Sequence, residues 1–424
     1  MDTGPCTLAA RALLTLAIFL ALCLDSATVV ARPASPSSRP AAVANVVPTR
    51  LVGYYDAKTQ QELPLEKIQH ANLTHIVLTS AVKVDNNGTV YLRGPEHPGE
   101  RSAEDLIRAL SALPGVKLVV SLRGEPDDVA LDELAEVDAA RERFSTDAAV
   151  LARSWGISGL EIEWHSDDPA GGKAIAAPFD VMEQYHFALL CRDLASSLRA
   201  AGGKTLSVAV RPGRQEFADG NFVRGYIDWL SIRAYSMRSL GDPHHSSLKD
   251  MSAALDEWSN KGVPKSQLVL GTPLFGRPGG SLSTAGDRNE ALRRSWRDLA
   301  HGALTSRRSN DDGRGDAFVD AETGKVWWVS GLNTTKAKVK HVLENGYGGV
   351  AFRDLHNDAH EANLSLVQAA KDAVREHREA EAAKRKRRPP LVAQGMALIQ
   401  SGILRTKTSP GALVDGDGGK HGEL

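Results

Sequence analysis

Two carboxylates and an imidazole occupy every second position of Glu161-Ile162-Glu163-Trp164-His165. In an extended strand alternate side chains share a face, so Glu161, Glu163 and His165 converge while Ile162 and Trp164 point the other way. Burying two carboxylates one strand-step apart is costly unless cations or hydrogen bonds compensate. The run therefore reads either as a site for proton transfer and electrostatic stabilisation or as a satisfied internal ion-pair network.

Something must hold that strand in place. β-rich bursts recur at 51–55, 73–80, 116–122, 157–163, 205–210, 226–235, 267–272 and 349–352. Stretches of helical period alternate with most of them, at 103–113, 144–155, 182–200 and 248–261. Strands alternating with helices predict a parallel sheet of the α/β class, and eight such units close into a (β/α)8 TIM barrel whose site lies at the carboxyl ends of the strands. No Gly-rich phosphate loop follows an early strand, which argues against an open doubly wound sheet. The last gap is much the longest, so an extra segment is expected between strands 7 and 8, at about 278–345.

Composition narrows the function classes. The chain has 424 residues, 42% of them hydrophobic and 24% charged, which excludes a disordered, collagenous or multispanning protein. Lysine and arginine number 51 against 52 acidic residues, so no global field draws nucleic acid or an anionic membrane. With 9 Phe, 7 Trp and 7 Tyr, ring platforms for long sugars or bases are scarce.

The stretch Ser158-Gly159-Leu160-Glu161-Ile162-Glu163-Trp164-His165 resembles the D-G-x-D-x-D-x-E signature of glycoside hydrolase family 18, the chitinases and chitinase-like proteins. Other segments match that family in order: Gly53-Tyr54-Tyr55, Thr74-His75-Ile76, Ser121-Leu122-Arg123-Gly124, Ile227-Asp228-Trp229 through Arg233-Ala234-Tyr235, Gly271 to Gly276, Trp328 to Lys338, and Gly348-Gly349-Val350. The resemblance spans roughly 51–374, and it implies that the insertion between strands 7 and 8 is a short α+β subdomain. It implies a substrate-assisted hydrolysis in which a glutamic acid protonates the glycosidic oxygen, the substrate's N-acetyl oxygen attacks, and the preceding aspartate steadies the cation. Here His165 stands in the place of the acid, Ser158 in that of the first aspartate, and Glu161 and Glu163 in those of the next two. An imidazolium can donate a proton, with an ordinary pKa near ~6.5, but its reach differs from that of a glutamate. Loss of a general acid costs on the order of 10² to 10⁴-fold. The resemblance therefore implies a catalytically impaired or inactive chitinase-like protein used for carbohydrate recognition or as an interaction scaffold. A divergent hydrolase of N-acetylhexosamine-containing glycans, acting through Glu163 and His165, is the alternative.

The implied sugar-binding floor is altered too. Arg353 replaces the tryptophan under the reacting sugar, Ser80 the strand-two aromatic, Arg233 a methionine, and Ser236 the aspartate after the tyrosine. Tyr54 and Tyr235 remain. Arg123, Arg211, Arg233 and Arg353 face Glu161 and Glu163 in this reading, and the forked guanidinium suits paired carboxylates. They either stitch the pocket shut, leave a surplus for an anionic or modified sugar, or flank a neutral chitin site. Ligand-contacting candidates are Tyr54, Glu163, His165, Arg233, Tyr235 and Arg353. No cofactor is called for, and no metal: His244-His245 lacks a third ligand at diagnostic spacing. Cys191 sits in a helical pattern as a buried small hydrophobe, and Trp327-Trp328 as core of the insertion or a stacking surface.

The ends read differently. An apolar run at 12–24 behind Arg11 predicts a signal peptide at 1–31, hence secretion without a retained membrane span, followed by a Pro/Ser/Ala-rich linker at 32–50. The barrel would occupy 51–375 and a charged, disordered tail 376–424, containing Lys384-Arg385-Lys386-Arg387-Arg388, a solvated run or a processing or anion-docking site. The terminal KHGEL is a weak form of a luminal retention signal. Cys6 and Cys23 lie in the leader, which leaves Cys191 without an intramolecular partner. Sequons at Asn72, Asn87, Asn333 and Asn363 suit a secretory route, Asn72 being close to a strand.

Overall fold

The computed structural model describes residues 49–85, 88–123, 131–163, 181–213, 216–237, 244–278, 293–301, 304–310, 315–320 and 326–387. The leader at 1–31, nearly all of the linker, Asn87, His165, the side chain of Arg123 and the tail beyond 387 lie outside the described residues.

Alternating apolar positions produce the barrel. Its strands are β1 (Arg50–Asp56), β2 (His75–Thr79), β3 (Lys117–Arg123), β4 (Gly159–Glu163), β5 (Thr205–Val210), β6 (Trp229–Arg233), β7 (Leu268–Pro273) and β8 (Gly349–Arg353). Each pairs in parallel with the next, and β8 closes on β1 with Arg50 opposite Gly349. One parity of each strand joins the surrounding core: Leu160 and Ile162 of β4, Leu206 and Val208 of β5, Leu230 and Ile232 of β6. The opposite parity fills the interior, where Val52, Tyr54, Val77, Val119, Trp229, Val269 and Ala351 make a second cluster. The burst at 226–235 is shorter as a strand than expected, because Tyr226 ends a helix and only Trp229 to Arg233 pair.

Nine described helices flank the strands: α1 (Ala103–Ser111), α2 (Leu131–Glu136), α3 (Asp138–Ser154), α4 (Val181–Ala200), α5 (Gly220–Tyr226), α6 (Leu248–Asn260), α7 (Trp296–His301), α8 (Leu332–Glu344) and α9 (Leu366–Arg387). Seryl caps start two of them: the side chains of Ser102 and Ser247 accept from Asp105 N and Asp250 N. The final helix carries the charged stretch after Glu376 onward to Arg387. Among the described residues no helix is long and apolar enough to cross a membrane.

Between β7 and β8 a five-stranded antiparallel sheet departs from the barrel, in the spatial order Arg294–Ser295, Phe275–Pro278, Val326–Val329, Gly315–Asp320, Leu304–Asn310. In chain order its first strand is Phe275–Pro278, separated from β7 by Leu274 alone. The sheet and α7 therefore follow from the carboxyl end of β7, and α8 leads back to the start of β8.

Candidate functional site at the barrel mouth

Strand β4 supplies the two carboxylates. Gly159 lets it lie against β5, since a Cβ there would collide with the Thr205 hydroxyl and carbonyl. Glu161 and Glu163 then point inward, and both are fully buried.

Glu161 is the deeper of the two. Its Oε2 accepts hydrogen bonds from Tyr54 Oη at 3.0 Å, Ser231 Oγ at 3.1 Å and Ser207 Oγ at 3.2 Å. Its Oε1 has no hydrogen-bond partner among the described residues. Burial, and then the charge of Glu163, push the carboxyl up to about 7, while the Tyr54 bond pulls it back. Burial likewise raises the Tyr54 phenol well above its ordinary value, with Glu161 adding to it. At neutral pH this group is thus poised between acid and carboxylate.

Glu163 lies at the strand tip in a different setting. Arg353 Nη1 donates to its Oε2 at 3.0 Å and Nη2 to its Oε1 at 3.2 Å. Arg233 Nη1 donates to Oε1 at 2.7 Å. The Arg353 guanidinium also rests on the Tyr54 ring, 4.8 Å from the centroid, and its Nε is 3.3 Å from Asp354 Oδ1. Arg233 Nε donates to Tyr235 Oη at 3.2 Å. These arginines and both tyrosines are at most 6% exposed. A forked, charge-assisted pair in a dry setting is a strong fixture, and a second arginine on the same carboxylate fixes it from the other side.

The structure thus brings together Tyr54, Glu161, Glu163, Arg233, Tyr235 and Arg353. Arg211, directly beyond β5, is half-buried, and its backbone N–H bonds Glu216 Oε1 at 3.0 Å. Two contributors were missed in the sequence. Ser207 and Ser231 stand on the inward parity of β5 and β6, and Ser207 lies level with Glu161 in the strand register. That parity was the available signal, but a serine in a strand rarely stands out.

Other sequence candidates occupy quieter places. Cys191 is buried in α4, and burial raises its thiol well above the ordinary range. His244 and His245, expected as a loop pair, are both buried. No group of three His, Cys, Asp or Glu side chains suited to a metal exists among the described residues. Trp327 is buried with the core, while the half-buried Trp328 meets His244 edge-on at 5.8 Å. Asn72 is buried, its amide held between Gln69 and Lys371, whereas Asn333 and Asn363 are exposed.

Residues 50–358, nearly all of the barrel with its insertion, match the sequence profile of the family described as Glycosyl hydrolases family 18. The chain belongs to glycosyl hydrolase family 18. A family relative, Endochitinase 1 of Metarhizium anisopliae, is 24% identical over 343 residues, covering 70% of this chain and 77% of the relative. Among solved family structures, a class V chitinase mutant from Cycas revoluta, in complex with (GlcNAc)3, superposes with a TM-score of 0.61 at 20% identity over 77% of this chain and 99% of the other. Catalytic domain 2 of the Ostrinia furnacalis Group II chitinase gives 0.63 at 18% identity, covering 77% and 97%. At such identities the likeness of structures concerns the family fold.

Proposed function

We propose that this family 18 protein is a secreted chitinase-like protein that hydrolyses chitin poorly or not at all, and that its barrel serves carbohydrate recognition or acts as an interaction scaffold. The observation that carries this reading is the clamp on Glu163. The family's mechanism needs the corresponding carboxylate free to steady a cation on the sugar. Here its two oxygens already receive three hydrogen bonds from Arg353 and Arg233. Arg353 further stands where a tryptophan would support the sugar, and His165 replaces the proton donor. Each change removes a separate part of the machinery, so restoring one would not restore turnover.

A second reading, a divergent hydrolase of N-acetylhexosamine glycans, draws on the retained Tyr54 and Tyr235 and on a Glu161 carboxyl that holds a proton close to neutrality. A fluorogenic chitooligosaccharide assay from pH 4 to 8 separates the two. The expected outcome is turnover at least about 10²-fold below that of a family member with an intact acid, unchanged by His165→Ala. Robust turnover abolished by both Glu163→Gln and His165→Ala would establish the second reading instead.

A further inference from the structure

The end of β6 is held by a short segment that the mouth chemistry does not use. Met237 N donates to His245 O at 3.0 Å, Ser236 N to His245 Nδ1 at 3.3 Å, and Ser246 Oγ to Ala234 O at 2.6 Å. The same segment grips the inserted sheet and α8. His244 Nδ1 accepts from Ser246 N at 3.0 Å, which assigns the ring proton to Nε2, 3.2 Å from Val329 O. Lys338 Nζ donates to Ser246 Oγ and Ser330 Oγ, both at 2.8 Å. The His245 ring stacks on Phe275 at 5.5 Å and on His244 at 5.7 Å. His244, His245, Ser246 and Lys338 are all at most 2% exposed.

We propose that segment 244–247 is a proton-sensitive latch, which clamps the Tyr235 end of β6 to the inserted sheet and α8 while its two imidazoles and the Lys338 amine are uncharged, and which opens on acidification. The geometry sets the direction. A second proton on either imidazole must go to Nδ1, and each Nδ1 is occupied by a backbone N–H that would then face another donor. An ammonium at Lys338 has three hydrogens for two acceptors among the described residues.

The charged groups around the cluster do not reverse this. Arg277 and Arg293 press on His245, and Lys338 presses on both rings; Asp250 favours a charged His244, and Asp316 a charged Lys338. Burial is the largest influence throughout. It lowers Lys338 to about 7, His244 to about 3, and His245 well below its ordinary value. All three groups are more readily protonated when open, so a fall in pH favours the open form. From pH 8.0 to 5.5 each contributes about tenfold to the open fraction. Because Tyr235 Oη accepts from Arg233, release would also slacken the clamp on Glu163.

Hydrogen exchange of the full chain, read by mass spectrometry at pH 8.0 and 5.5 and corrected for intrinsic amide chemistry, tests the latch. Segments 234–237 and 244–247 should lose protection by about 10³-fold at the lower pH, a larger loss than in β2 and β3, which follow only the fall in global stability. Lys338→Met should shrink that ratio about tenfold. Protection that is independent of pH in these segments, or a ratio identical in Lys338→Met, overturns the proposal. Should the variant not fold, the wild-type contrast between the latch and strands β2 and β3 decides alone.

Discussion

An arginine that donates twice to a buried carboxylate is worth most when it is missing, because what remains is a charge without water. Arg353 and Arg233 share Glu163 in this way. Removing one partner from such a group typically costs about 3 to 5 kcal/mol, while replacing the whole set with apolar side chains of similar size can be neutral. Arg353→Met and Glu163→Gln should therefore each lower stability to urea by about that amount, and the double variant by less than their sum, with a coupling of about 0.5 to 3 kcal/mol. Strictly additive losses in the double-mutant cycle would mean that the contacts carry no coupled energy. The carboxylates of this cluster were legible from spacing alone, since i and i+2 must share a strand face. Arg233 and Arg353 were legible as substitutions within a family pattern. Their partition was not: nothing in the sequence distinguishes a carboxylate that meets three hydroxyls, Glu161, from one that meets two guanidiniums, Glu163. That distinction depends on residues contributed by β1, β5, β6 and β8.

At the scale of elements, the position of β4 rests on a glycine. The backbone of Thr205 passes so close to Gly159 that a methyl group cannot fit without shifting β4 from β5. Overpacking of that kind costs about 1 to 3 kcal/mol, and here it would fall on the strand bearing both carboxylates. Gly159→Ala should accordingly lower the urea midpoint and raise exchange in β4 and β5 above that in β2; a midpoint equal to wild type would show that the strand can give. The strands themselves were legible because alternation is strict where one parity packs on helices and the other fills the barrel. The insertion was legible only as excess length. Its first strand starts at Phe275, continuing an apolar run without a break in composition, so no local signal separates it from β7. The short α5 was likewise hidden, since Tyr226 and Ile227 extend the apolar run of the following strand.

For the molecule as a whole, buried titratable groups give stability a predictable slope with pH. Burial raises Glu161 to about 7 and Asp358 to about 6, so these carboxyls cost stability when ionised, and the cost is relieved as pH falls towards their unfolded values. Burial lowers Lys338 to about 7, so its cost grows as pH falls from 10.5 to 7 and is constant below. His75 is lowered to about 4 and His244 to about 3, with His245 well below its ordinary value, so the unfolded chain gains protons on all three below about 6.5 while the folded chain does not. Between pH 8.5 and 7 the lysine sets the trend. Near pH 5.5, three imidazoles that favour the unfolded state oppose two carboxyls that favour the folded one. Both intervals slope the same way, for a total on the order of 2 to 4 kcal/mol between pH 8.5 and 5.5. Thermal unfolding followed by circular dichroism should accordingly give a Tm that falls as the solution is acidified. Glu161→Gln deletes the larger of the two opposing contributions, so its Tm should fall more steeply than that of the wild type. A Tm that rises towards pH 5.5, or a variant with a shallower slope, would mean that the barrel interior admits enough water to erase the cost of charge there.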